Sequence, residues 1–297
     1  MQQYRARAQN TKLVYCLLAI TTVIAPIPSY AWGFFAHKLI NEKAVYALPP
    51  GIGEFYKQNV VFITLHAVDP DLRKHSNEKE GSLHYLDVDH YDLKHPFDSL
   101  PMHWKDAVQK YSEDTLHAYG TLPWAIVENY YFLVKAFKDK DKERIIKLSA
   151  DIGHYAADAC VPLHVTENYD GQMTKQKGIH KLWETQIPER YSESYAIDMV
   201  VAGYIPDPLK HTWTILQHSY ALSVRVLAND KKLRAQFLKD QVYHIHSGKK
   251  QKVFSKEYVA AYNESISGMV EAQMVASIKL VSGLWYSAWV EAGQPLL

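Results

Sequence analysis

Only two cysteines occur among the 297 residues. Cys16 falls in an apolar N-terminal stretch and Cys160 far beyond it, so a chain shortened at its N-terminus keeps a single thiol and forms no intrachain disulfide. An excess of charge is also lacking, with 33 Lys and Arg against 32 Asp and Glu. That balance excludes a broad basic surface, so a nucleic acid would have to be held locally, by metal ions and base stacking. Convincing alternating strands, internal repeats, low-complexity tracts and Ser/Gly-rich linkers are all missing, which leaves one helical domain. The absence of an H-E-x-x-H helix argues against a zinc peptidase. The basic stretch 247–256 holds one aromatic, Phe254, and is expected to be a solvated loop.

The N-terminus carries an address. Arg5, Arg7 and Lys12 precede an apolar run from Leu13 to Ala25, which closes on Ser29-Tyr30-Ala31. This is the pattern of a cleaved signal peptide, and Pro26 and Pro28 interrupt the run before it reaches the length of a membrane span. Cleavage after Ala31 makes Trp32 the first residue and removes three cationic side chains and no anionic one, turning the formal charge of +1 into about −2. Residues 1–31 are therefore expected to be a signal peptide and 32–297 the functional domain, exported to the periplasm or secreted. Apolar residues recur at helical spacing over roughly 33–48, 52–66, 103–118, 123–138, 141–160, 176–187, 207–227 and 255–292. The polar connections 69–81, 87–101 and 167–178 are long enough to carry function.

Within this frame the chemistry concentrates. His154 and Asp158 are four apart and share a helical face, as do His180 and Glu184, so each pair can converge on one cation. Pro162 disturbs the helix ahead of His164 and lets its imidazole join the same cavity. Neutral imidazole and carboxylate are ligands suited to zinc. The remaining histidines, among them His66, His75, His90, His95, His103, His117, His211, His218, His244 and His246, are expected outside the ligand set.

The runs His154-x3-Asp158-x5-His164 and His180-x3-Glu184 resemble the zinc motifs of the superfamily that joins bacterial zinc-dependent phospholipase C with fungal and plant single-strand-specific nucleases. Trp32-Gly-Phe-Phe-Ala-His37 resembles the processed N-terminus of its nuclease members, and Asp69 and His84 stand at the spacing expected for a first metal. The resemblance implies an all-α, single-domain multi-helix bundle with a trinuclear zinc cleft. It implies one zinc held by Asp69, His84, His154 and Asp158, a second by His164, His180 and Glu184, and a third by Trp32, His37 and bridging Asp158. Asp69 would be either a ligand alone or also the group that orients or deprotonates the attacking water. Arg73 is the candidate phosphate clamp.

A carboxylate bridging two cations lets a shared water become a nucleophile near neutral pH, and a dense positive cluster favours the charge that builds on phosphoryl oxygens. The expected activity is therefore hydrolysis of phosphodiesters, with about three zinc ions as the cofactor and no obligate protein partner. Tyr85 and Asp87 resemble the nuclease pattern for stacking on a base and bonding its edge, whereas Glu184 matches the phospholipase ligand and the nuclease disulfides are missing; Tyr85 suits cation–π contact with a choline group, or packing against the core, equally well. A phospholipid and a single-stranded nucleic acid both remain open as substrates. The alternative is a zinc-stabilised binding protein that keeps the fold without the activity.

Overall fold

The computed structural model describes residues 32–74, 76–77, 79–245 and 252–297. The expected signal peptide, His75 and His246 lie outside the described residues. The expected all-α fold is the one observed. Among the described residues five long helices, α1 (Phe34–Tyr46), α2 (Leu122–Asp139), α3 (Lys142–Ala159), α4 (Pro208–Arg234) and α5 (Met269–Glu291), form its frame.

Helices α2 and α3 pack against each other across a turn at Lys140 and Asp141, and α5 packs on both and on α1. Lys140 takes a left-handed conformation that ends α2, while the Asp141 carboxylate accepts the Arg144 amide and starts α3. α5 is apolar on nearly all sides because it is surrounded: Met274, Ile278, Val281, Leu284 and Trp285 are buried. Its buried serines turn their hydroxyls to its own backbone, and Ser287 Oγ accepts the Ile205 amide at 2.7 Å. Trp285 stacks on Tyr56 at 5.0 Å and donates its indole N–H to the Ser149 carbonyl, tying α5 to α3. Among the described residues no helix is long and apolar enough to cross a membrane.

Several helices expected as continuous are divided. The stretch 52–66 breaks at Asn59 and 103–118 at Ser112, where φ is 71°. The stretch 255–292 splits at Ser267 and Gly268, both at positive φ, into Lys256–Ser265 and α5. Two short strands, β1 (Tyr243–Ile245) and β2 (Lys252–Phe254), pair antiparallel with Tyr243 opposite Phe254. The expectation of a wholly solvated 247–256 loop is thus corrected: the Phe254 ring is buried against Tyr258, and Ser255 caps the following helix.

Candidate metal centre

The frame matters because α1, α3 and two short connections point imidazoles and carboxylates at one another. His37 comes from α1, and His154 and Asp158 from α3. The two helices approach closely at Gly153, where a Cβ would overlap the Asn41 carboxamide. That closeness lets the His37 ring stack on His154 with centroids 3.8 Å apart and an interplanar angle of 15°. α3 ends at Ala159. Val161, held extended by the following proline, leads into a 3₁₀ turn at Pro162–His164 that brings His164 back to the cluster. His180 and Glu184 flank a switch from α-helix to the π-helical turn Leu182–Gln186, an irregularity common at functional sites. Their reacting atoms stand 2.8 Å apart. His84 ends the 3₁₀ helix Glu80–His84, whose continuation is laced to the turn: Leu86 N–H donates to the His164 carbonyl at 2.8 Å.

Among the described residues three groups result, each with ligand atoms within 4.8 Å of one another: His37, His154 and Asp158; Asp71, His84 and His154; His164, His180 and Glu184. All of these residues are buried. Asp158 joins the first two, because its Oδ1 lies 3.3 Å from His37 Nε2 while its Oδ2 lies 3.0 Å from His84 Nδ1 and 3.3 Å from His154 Nε2.

Neighbouring carbonyls fix which nitrogen each ring presents. His154 Nδ1–H donates to the Ala67 carbonyl at 2.8 Å and His164 Nδ1–H to the His84 carbonyl at 2.6 Å, leaving both Nε2 lone pairs for the cluster. The Glu80 carboxylate lies 3.7 Å from His84 Nε2, on the side away from the cluster. Tyr155 O–H and the Arg73 guanidinium donate to that carboxylate.

The electrostatics suit a cation. Burial resists charge on Asp158, yet the imidazoles of His154 and His164 hold it well below the usual carboxylate range. Burial likewise opposes protonation of His154, but Asp158 and Asp71 outweigh it and raise its pKa. Burial and the charge on His154 lower His37 to about 4, burial lowers His180 to about 4, and burial raises Glu184 to about 8. Both ring nitrogens of His37, Asp71 Oδ2 and Asp158 Oδ1 are buried without a hydrogen bond. Buried polar atoms are ordinarily satisfied, and lone pairs facing one another this closely repel unless a cation lies between them. The donor set of imidazole nitrogen and carboxylate oxygen fits zinc.

Two expected members of the site lie elsewhere. Asp69 is not in the cluster: its side chain is 39% exposed and accepts from His66 Nδ1 at 2.6 Å. Asp71 stands in its place, because the short helix Asp69–Arg73 turns residue 71 onto the buried face already set by Ala67 and Val68, while residue 69 points away. Arg73 is likewise committed, to Glu80, Asp151 and Tyr155, and is not in the cleft. The cation that lines the cleft is Lys74, whose Nζ is 2.7 Å from Asp71 Oδ1. Sequence reasoning missed Asp71, Lys74, Glu80 and Tyr169. The apolar phase of Ala67 and Val68 carries the signal for Asp71, which follows them by four and three residues.

Trp32 packs its buried indole on Trp183 at 5.0 Å and donates Nε1–H to the Ala157 carbonyl, while the Gly33 amide donates to the Glu184 carbonyl at 3.1 Å. A side chain at Gly33 would strike Thr185, so glycine lets the backbone run beside the ligand-bearing turn. Beyond the cluster opens a cavity of about 310 Å³ lined by Lys74, His84, Tyr85, Asp87, Tyr169 and His180. Tyr85 is half-buried and donates its O–H to the Ala118 carbonyl. Burial, then the charges of Asp89 and Glu167, raise the Asp87 carboxyl to about 8.

An all-α fold carrying, among the described residues, three metal-capable groups is the class that these observations define. Clostridium perfringens alpha-toxin from avian strain SWCP shares the fold, with a TM-score of 0.50 at 15% identity over 88% of this chain and 64% of the toxin. The alpha-toxin of Clostridium absonum aligns with a TM-score of 0.46 at 14% identity, over 86% of this chain and 63% of that one. The chain thus spans less than two thirds of the length of these structures. No family model and no curated protein sequence matches it.

Proposed function

We propose that this protein is an exported zinc-dependent hydrolase of phosphodiesters, matured by removal of residues 1–31. One observation carries the reading: Asp158 turns its two oxygens toward different imidazoles, 3.3 Å from His37 on one side and 3.0 Å from His84 on the other. That is the arrangement of a carboxylate shared between two cations, and the fold likeness to a bacterial toxin supports it.

In this reading Asp71, His84, His154 and Asp158 hold one ion, His164, His180 and Glu184 a second, and His37, Asp158 and the amino and carbonyl groups of a processed Trp32 a third. Zinc bound there supplies Lewis acidity to phosphoryl oxygens and acidifies water near neutral pH. The chain does the rest. Carbonyls of Ala67 and His84 hold two imidazoles in the tautomer that presents Nε2. Lys74 places an ammonium at the cleft wall, where it offsets charge growing on phosphoryl oxygens. Tyr85 and Tyr169 flank the same cavity as flat surfaces for a substrate group, and Asp87 bonds to its edge.

A phospholipid and a single-stranded nucleic acid both suit this cleft. Glu184, which resembles the phospholipase ligand, favours the first; the tyrosine pair with Asp87 favours the second. Purified mature protein is to be analysed for zinc, then assayed on phosphatidylcholine and on single-stranded DNA before and after chelation. Zinc in the preparation and loss of activity on chelation are expected. Full activity without metal overturns the proposal, and a zinc-loaded protein inert on both substrates favours the binding-protein alternative.

A further inference from the structure

A second cavity, of about 630 Å³, opens behind the 3₁₀ helix Glu80–His84. Gly81 and His84 of that helix line the metal cleft, whereas Leu83 and the preceding Lys79 line this other space. Trp104, His117 and Trp124 put aromatic rings in its wall, beside the aliphatic Leu83, Val127 and Leu209. Trp104 stands edge-on to Trp124 with centroids 5.1 Å apart and edge-on to His117 at 6.1 Å.

The polar tips of these rings are partly spent inside the protein. Trp124 Nε1–H donates to the Met102 carbonyl at 2.8 Å, and His117 Nδ1 pairs with Ser82 Oγ at 3.1 Å. What remains for an occupant is ring and aliphatic surface together with the carboxylates of Glu113 and Glu128. Glu113 is exposed and lies 3.7 Å from His117 Nε2. Against these two anionic groups stands one ammonium, that of Lys79.

Aromatic faces attract a cation through their quadrupole, most strongly tryptophan, and nearby carboxylates add charge complementarity. A small inorganic cation would keep its water and gain little from the rings, whereas a compact organic cation exchanges weakly held water for them. A flat neutral aromatic would use the walls but not the acids.

We infer that this cavity is a binding site for an alkylated ammonium group, separate from the metal cleft and independent of the phosphodiesterase reading. Binding is followed by tryptophan fluorescence of the folded protein titrated with tetramethylammonium at constant ionic strength. Saturable binding is expected, and 2,2-dimethyl-1-propanol, which has a similar shape without the charge, should bind at least about fivefold more weakly. The double variant Glu113→Gln/Glu128→Gln changes only exposed side chains. It should melt as the parent does and lose about fivefold or more in affinity. Trp104→Leu should lose affinity comparably.

Equal binding of the alcohol, or unchanged affinity in the double variant, overturns the inference. So does binding that Asp87→Asn abolishes and the double variant leaves intact, because the cation would then sit in the metal cleft. No step of this test requires bound metal or turnover.

Discussion

Lys74 Nζ lies 2.7 Å from Asp71 Oδ1, joining a cation at the wall of the cleft to a carboxylate buried in the cluster. The pair separates two jobs that the segment Asp69–Lys74 could have distributed differently. Asp71→Asn should lower bound zinc and abolish activity, whereas Asp69→Asn, which breaks only the half-exposed contact with His66, should leave zinc content unchanged. Metal analysis of the two variants decides between them. Equal loss in both would return Asp69 to the ligand set.

Lys74→Met keeps the aliphatic stem and removes the charge. If the ammonium acts on phosphoryl oxygens, kcat/KM should fall about 100-fold while zinc content holds. A fall in zinc content would instead mean that Lys74 serves mainly to support Asp71.

The Glu80 carboxylate stands 3.7 Å from the far side of His84, facing its Nε2, and is itself fixed by Arg73 and Tyr155. Outer partners of metal-bound histidines typically contribute 10- to 100-fold to affinity, so Glu80→Gln should weaken zinc binding by about that factor, read by chelator competition. Arg73→Lys should lower affinity in the same direction, because lysine cannot reproduce the planar fork that reaches Glu80 and Asp151.

Asp87 provides a test by pH. Its folded-state pKa is raised by burial and by its acidic neighbours to about 8, above the unfolded value. A raised carboxyl contributes stability at low pH that is lost as pH climbs from the unfolded pKa, near 4, through about 8. Asp87→Asn cannot ionise, so its melting temperature relative to the parent should rise between pH 5 and pH 9. A constant difference across that range would show that the carboxyl titrates normally.

Gly153→Ala should damage both fold and centre. The added methyl meets Asn41, and forcing α1 from α3 costs about 1–3 kcal/mol by overpacking. It also pulls His37 from His154, so zinc content should drop with the melting temperature. A variant that is less stable but fully loaded would mean that the helices yield elsewhere.

The sequence by itself determined the helical class and the residues His37, His84, His154, Asp158, His164, His180 and Glu184, which the structure gathers into three groups. It could do so because two carboxylates lie one turn from a histidine, and because proline marks where α3 must end. What it left open were choices that depend on phase and on distant neighbours. Asp69, Asp71, Arg73 and Lys74 share one short helix and the residue after it, and only packing of Ala67 and Val68 against the core turns Asp71 inward. Glu80 and Tyr155 are 75 residues apart, so their contact has no trace in local pattern. Periodicity tells which face of a segment is buried; which groups from other segments meet that face is settled by how the helices pack.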